Sequence, residues 1–142
     1  MSGQTAAAVF TGTCLCGAIR YEARGAPLAV NHCHCVQCQR ASGAAMVTWA
    51  MWPRAGVRIV SGEIADFESS PGVKRSFCAR CGSTLFWRRE GGARGEEEID
   101  VAAGTLDASD LLQPSEHIFV KSRRRWLPLC DGLPAYDEYR PK

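Results

Sequence analysis

The stretch His32-Cys33-His34-Cys35-Val36-Gln37-Cys38 carries three thiols and two imidazoles in seven consecutive residues, a density that points to a metal site. The thiolate is a zinc ligand, a Cys-x-x-Cys loop wraps two sulfurs around one ion, and a third cysteine two residues upstream can reach the same ion. The number three carries the meaning. A structural zinc is normally closed by four protein ligands, whereas a catalytic zinc keeps one position open for water or substrate.

Two further cysteine loops, Cys14-Leu15-Cys16-Gly17 and Cys78-Ala79-Arg80-Cys81-Gly82, each end in a glycine directly after the last cysteine. In a zinc knuckle the chain turns sharply so that backbone N–H groups point at sulfur, and a glycine with φ > 0 completes the turn at little steric cost. Cys14, Cys16, Cys78 and Cys81 therefore supply four thiolates for one structural zinc, with reduced core cysteines lacking any metal as the alternative. Cys33, Cys35 and Cys38 are left with an open position, which suits chemistry. If His32, His34, His117 or Cys130 fills that fourth place, the cluster becomes a second closed site. For His34 the stereochemistry is awkward, because in an extended Cys33-His34-Cys35 stretch its side chain points away from its neighbours. Cys130, alone near the tail, reads as a small buried hydrophobe.

With 142 residues the chain suits one domain, read as an N-terminal extension over 1–10 and a single domain over 11–142. Composition gives no sign of disorder, coiled coil or membrane span. The start Met1-Ser2-Gly3-Gln4-Thr5 and the short apolar run Ala6 to Phe10 do not read as a signal peptide, so a cytoplasmic metalloprotein is expected rather than a secreted disulfide scaffold. The formal charge is +2 with cysteines counted neutral; two zinc ions on seven thiolates would bring it to about −1. Bulk charge therefore makes no case for a nucleic-acid partner.

The elements that must position these ligands read as mostly strands. Ile19 and Tyr21 alternate with Arg20 and Glu22 as a half-buried strand, and Leu28 to His32 delivers the central cluster at its end. Gln39 to Ser42 permits one helical turn before Gly43. Ala44 to Trp52 favours a buried strand, with a short helix as the alternative. Val57 to Val60 and Ile64 to Glu68 flank Ser61-Gly62-Glu63, which reads as a hairpin turn. Val73 to Phe77 and Thr84 to Arg88 bracket the second knuckle. Glu90 to Glu98 reads as an exposed loop, Ile99 to Ala103 as a strand, Asp107 to Leu112 as a turn or two of helix, and Glu116 to Lys121 as a strand. The last twenty residues read as an irregular tail.

Taken together, Gly12-x-Cys14-x-Cys16-Gly17-x-Ile19-x-Tyr21, Cys33-His34-Cys35-x-x-Cys38-x-Arg40, Phe77-Cys78-x-x-Cys81-Gly82-Ser83, Gly104-Thr105-Leu106-Asp107, His117-Ile118-Phe119 and Leu133-Pro134-x-Tyr136 resemble one family. It is that of the glutathione-dependent formaldehyde-activating enzymes, whose domain is shared with centromere protein V. The resemblance implies a mostly β fold of several small coiled antiparallel sheets with short helical turns. It also implies a structural zinc on Cys14, Cys16, Cys78 and Cys81 and a catalytic zinc on Cys33, Cys35 and Cys38. The implied reaction joins formaldehyde to glutathione to give S-hydroxymethylglutathione, in a carbon–sulfur lyase class.

The expected function is accordingly a zinc-dependent carbon–sulfur lyase acting on a small thiol adduct. The open zinc binds the thiol, lowers its pKa and aligns it with a carbonyl carbon, with His32 or His34 as candidate proton shuttles. Arg123, Arg124 and Arg125, within the basic run Lys121 to Trp126, could hold the carboxylates of a tripeptide such as glutathione, or form a solvated loop. The competing class is a non-catalytic zinc module that binds a protein or nucleic-acid partner.

Overall fold

A computed structural model describes residues 8–90 and 97–141. Residues 1–7 of the expected N-terminal extension and 91–96 of the expected Glu90 to Glu98 loop lie outside them.

The described residues are mostly β and form two sheets. β1 (Val9–Thr13) and β2 (Arg20–Arg24) make an antiparallel hairpin, and β5 (Val57–Ser61) adds to the other edge of β2. The second sheet has seven strands in the order β10, β3, β4, β9, β8, β7, β6. They are β3 (Ala29–Cys33), β4 (Val47–Pro53), β6 (Ile64–Ser70), β7 (Val73–Cys78), β8 (Thr84–Arg89), β9 (Glu98–Ala102) and β10 (Glu116–Ile118). All neighbours are antiparallel except β10 and β3, which run parallel. Among the described residues no helix is long and apolar enough to cross a membrane.

Side chains alternate across a strand, so each strand of the large sheet serves two faces. Ala50 and Trp52 of β4 and Ile99 and Val101 of β9 enter a main core that they share with Ile19, Tyr21 and Ala23 beside the small sheet. Val47 and Trp49 of β4 and Ala102 of β9 face the other way, into a second cluster with Cys33, Cys38 and Ile118. This explains the unbroken apolar run from Ala44 to Trp52: a central strand covered on both faces has no polar side to show.

Tyr21 locks the two sheets together. Its ring is fully buried, meets Phe86 of β8 edge-on at 5.0 Å, and its hydroxyl lies 2.6 Å from Thr105 Oγ1. Opposite it on β1 stands Gly12, and a Cβ there would fall 2.1 Å from Tyr21 Cζ. The glycine is required by that close approach, since the ring lies flat over its backbone.

Three expectations change. Ser61-Gly62-Glu63 does not close a hairpin: β5 pairs with β2 and β6 with β7, so this turn carries the chain from one sheet to the other. Gly62, at φ 84°, packs so tightly beneath the Ala18 carbonyl that a Cβ would lie 2.3 Å from its oxygen. Turn residues alone do not distinguish a strand reversal from a change of sheet, because both need the same backbone angles. The helical turn after the central cluster is longer than expected. As α1 (Val36–Ser42) it starts at Val36, because Cys35 Sγ caps it by accepting the Cys38 N–H at 3.3 Å, and Gly43 ends it at φ 73°. Finally β10 stops at Ile118, where Phe119 takes a left-handed φ of 57° and a single 3-10 turn follows over Val120–Ser122.

Gly12→Ala should lower stability by about 2–3 kcal/mol, the cost of displacing a buried ring. Denaturant unfolding checks this, with a reduced midpoint and an unchanged slope expected.

Candidate functional site

The two knuckles occupy the tips of two hairpins, β1–β2 and β7–β8, one from each sheet. Both glycines have the positive φ that the turn demands, 82° at Gly17 and 79° at Gly82. Backbone N–H groups then point at sulfur as expected: Ile19 N donates to Cys14 Sγ at 3.2 Å, and Arg80 N and Cys81 N each donate to Cys78 Sγ at 3.4 Å. Leu15 N also donates across the tips to Ser83 Oγ at 2.9 Å. The sulfurs of Cys14, Cys16, Cys78 and Cys81 all lie within 4.8 Å of one another.

On the reverse face of the large sheet Cys33 ends β3, Cys35 caps α1 and Cys38 sits in its first turn, and these three sulfurs also lie within 4.8 Å of one another. Cys38 Sγ accepts N–H groups from two side chains. The Trp49 indole approaches at 3.4 Å, and the buried Arg75 guanidinium reaches it with two nitrogens, at 3.6 and 3.7 Å. The sequence reading missed Arg75. Its only trace there is a charge at an inward position of an alternating strand.

Both clusters fit zinc. Four sulfurs around one ion at the usual bond length stand about 3.8 Å apart. The separations are 3.6 Å for Cys14–Cys16, 3.9 Å for Cys16–Cys78 and 3.5 Å for Cys33–Cys38. Thiols packed this closely cannot all ionise by themselves. The Cys33 and Cys38 thiols hydrogen-bond to Cys35 and push it far down, and in return Cys33 is pushed far up. In the other cluster the Ser83 hydroxyl brings Cys81 down to about 5. A divalent cation is what lets every sulfur in such a group carry charge.

The histidines of the central motif are on the other side. In β3, His32 shares a face with Val30, opposite to Asn31 and Cys33, and its Nδ1 lies 2.7 Å from Thr48 Oγ1. His34 is fully buried with Nε2 2.8 Å from His117 Nδ1, and His117 Nε2 donates to Asp131 Oδ2 at 2.8 Å. Burial drives His34 down to about 4, so it is neutral at physiological pH. The side chain of His34 thus points away from the cysteines, as its stereochemistry required, and none of the three histidines joins the three-sulfur cluster. Their rings lie behind the sheet, which removes His32 and His34 as proton shuttles there. His32, His117 and Asp131 instead form a third group of close polar atoms, and Asp131 had no sequence signal.

Cys130 is exposed rather than buried. Of the three arginines, Arg123 donates to the Leu127 carbonyl at 2.6 Å and Arg124 donates to Gln39 Oε1 on α1. Gln39 Nε2 in turn donates to the carbonyls of His34 and Ser122 at 2.7 and 3.0 Å, tying the basic segment to the cysteine loop. Arg125 is exposed.

A family model described as glutathione-dependent formaldehyde-activating enzyme matches residues 9–122. A crystal structure of a Rhodobacter sphaeroides protein, a structural-genomics target, aligns with a TM-score of 0.58 at 24% identity, covering 89% of this chain and 98% of its own; the likeness is one of fold. No curated protein matches the chain significantly.

Two substitutions test the clusters separately. Cys81→Ser should give insoluble or unfolded protein, since a four-thiolate zinc contributes roughly 10–16 kcal/mol of apparent binding energy against a domain stability of about 5–15 kcal/mol. Soluble protein with an unchanged melting temperature would defeat that assignment. Arg75→Met should weaken metal binding at the three-sulfur cluster about 10- to 100-fold while leaving the four-sulfur cluster alone. Competition with a chromogenic chelator reads both.

Proposed function

The chain belongs to the glutathione-dependent formaldehyde-activating enzyme family, and from that premise we propose that it is a cytoplasmic carbon–sulfur lyase acting on a small thiol adduct, with glutathione the leading thiol. Cys14, Cys16, Cys78 and Cys81 hold a structural zinc; Cys33, Cys35 and Cys38 hold a catalytic one. The observation that carries this reading is the division of seven sulfurs into a group of four and a group of three. The histidines that could have closed the second group are engaged with each other, with Thr48 and with Asp131 instead.

Zinc held there by Cys33, Cys35 and Cys38 would supply Lewis acidity that lowers the pKa of a substrate thiol. The chain's own groups prepare that position. Three thiolates leave a local charge of −1 on a divalent ion, and the Arg75 guanidinium against Cys38 offsets it. Trp49 donates to the same sulfur and so limits the charge it passes on. Trp49, Ala102 and Trp87 make an apolar floor that keeps bulk water from the reacting atoms. The thiolate is thereby held beside a carbonyl carbon in the forming direction, and the carbon–sulfur bond is held for cleavage in the reverse one.

Metal analysis should give two zinc ions per wild-type chain and one for soluble Cys35→Ser. A single zinc in wild type would sink the two-site reading. Exchange spectroscopy by NMR on formaldehyde mixed with glutathione and other small thiols should show exchange accelerated by wild type and not by Cys35→Ser. Absence of any rate gain across the panel would favour a zinc module that binds a macromolecular partner.

A further inference from the structure

Asp100 stands on the same face of β9 as Ala102, one side chain along and about 7 Å away. Ala102 packs against Cys33, Cys38 and Trp49. The cross-strand neighbours of Asp100 are Met51 on β4 and Trp87 on β8, and neither offers its carboxylate a charge. Its Oδ1 is buried, and no donor among the described residues reaches it. A carboxylate walled by a thioether and an indole gains little from ionising.

Among the described residues the charged and titratable groups around it are few. Its own strand contributes Glu98, whose like charge opposes ionisation. β8 contributes Arg89, with its guanidinium 5.7 Å from the Trp87 ring centroid. On β7, Arg75 stands beyond Trp87 and is turned toward Cys38. β4 shows Val47, Trp49, Met51 and Pro53 on this face, none of them charged. From the tail comes Tyr139, its phenol raised first by burial, with Cys33, Asp100 and Cys35 adding to the rise and Arg89 opposing it. Burial first, and Glu98 second, push Asp100 up to about 7. A group so poised can both give and take a proton.

We propose that Asp100 is the proton-transferring catalytic residue of the thiol–carbonyl reaction at the Cys33, Cys35 and Cys38 centre. This rests on the reading of that centre given above. The cycle balances without a further reactant. The incoming thiol gives its proton to the Asp100 carboxylate and becomes a thiolate. A sulfur lone pair then forms the carbon–sulfur bond, the carbonyl π pair moves onto oxygen, and the Asp100 carboxyl delivers the same proton to that oxygen. In cleavage the carboxylate takes the hydroxyl proton, the oxygen pair re-forms the carbonyl, the carbon–sulfur pair leaves on sulfur, and the Asp100 carboxyl returns the proton to that thiolate.

The test is Asp100→Asn, nearly the same in shape and unable to carry the proton. Zinc content should stay at the wild-type value while the rate of glutathione–formaldehyde exchange falls about 100-fold or more. The inflection near neutral pH in the wild-type rate profile should vanish. Stability supplies a readout that needs no substrate. An unfolded Asp100 ionises above 3.8 and the folded one only above about 7. The folded state therefore holds the extra proton between those values, and its stability declines as pH rises through that window. Asn removes the decline, so the melting temperature of the variant should exceed that of wild type by more at pH 8.5 than at pH 5.5. A variant with wild-type rate, or one that is slower yet keeps the neutral inflection, overturns the proposal. A wild type that accelerates no thiol–aldehyde exchange fails earlier, at the reading of the centre, and takes the role of Asp100 with it.

Discussion

Four sulfurs within 4.8 Å of one another at the tips of two hairpins are a constraint on the whole molecule, because the hairpins belong to different sheets. Thiols at that spacing either share protons unequally or jointly hold a cation, and only the second lets the tips stay together with every sulfur charged. With the tips together, Tyr21, which lies over Gly12 of its own hairpin, meets Phe86 of the large sheet, and the main core closes between β2 and that sheet. The glycines after Cys16 and Cys81 belong to the same constraint, since each turn needs a positive φ that a β-carbon resists.

A large sheet packed on one face by the small one is free to do something different on the other. Period-two alternation sends Trp52, Ile99 and Val101 to the core and Trp49, Ala102, Arg75 and Asp100 to the three-sulfur side. The rigid floor under Cys33, Cys35 and Cys38 is thus made of the same strands that build the core. Stability and site share a scaffold while staying on opposite surfaces of it. Among the described residues α1 and the C-terminal segment are added on the site side, and Gln39 joins them through two carbonyls and an arginine.

Much of this was legible before folding. Cysteine spacing, the glycine after each knuckle and the β-branched and aromatic runs are local signals, so both clusters, nearly all the strands and the family resemblance could be read directly. What failed was non-local. Ser61-Gly62-Glu63 carries the residues of a hairpin turn yet joins strands of different sheets, because backbone angles at a turn do not encode which edges are free to pair. Cys130 was expected inside and lies outside, since one small apolar residue carries no information about the loop that holds it.

The residues around the three sulfurs mark the same boundary. The chain by itself determined which thiols could gather, because ligands two, three or five residues apart are brought together by a single turn or helix start. It also made it awkward for the side chain of His34 to follow its neighbours, because alternation along an extended segment is a property of the backbone. Only the tertiary structure decided that His32, His34 and His117 would share one network behind the sheet with Asp131. Only it set Arg75, thirty-seven positions from Cys38, against that sulfur and left Asp100 Oδ1 without a donor among the described residues. Those pairings depend on strand order across seven strands, and strand order is settled by which faces bury together rather than by any residue's neighbours in the chain.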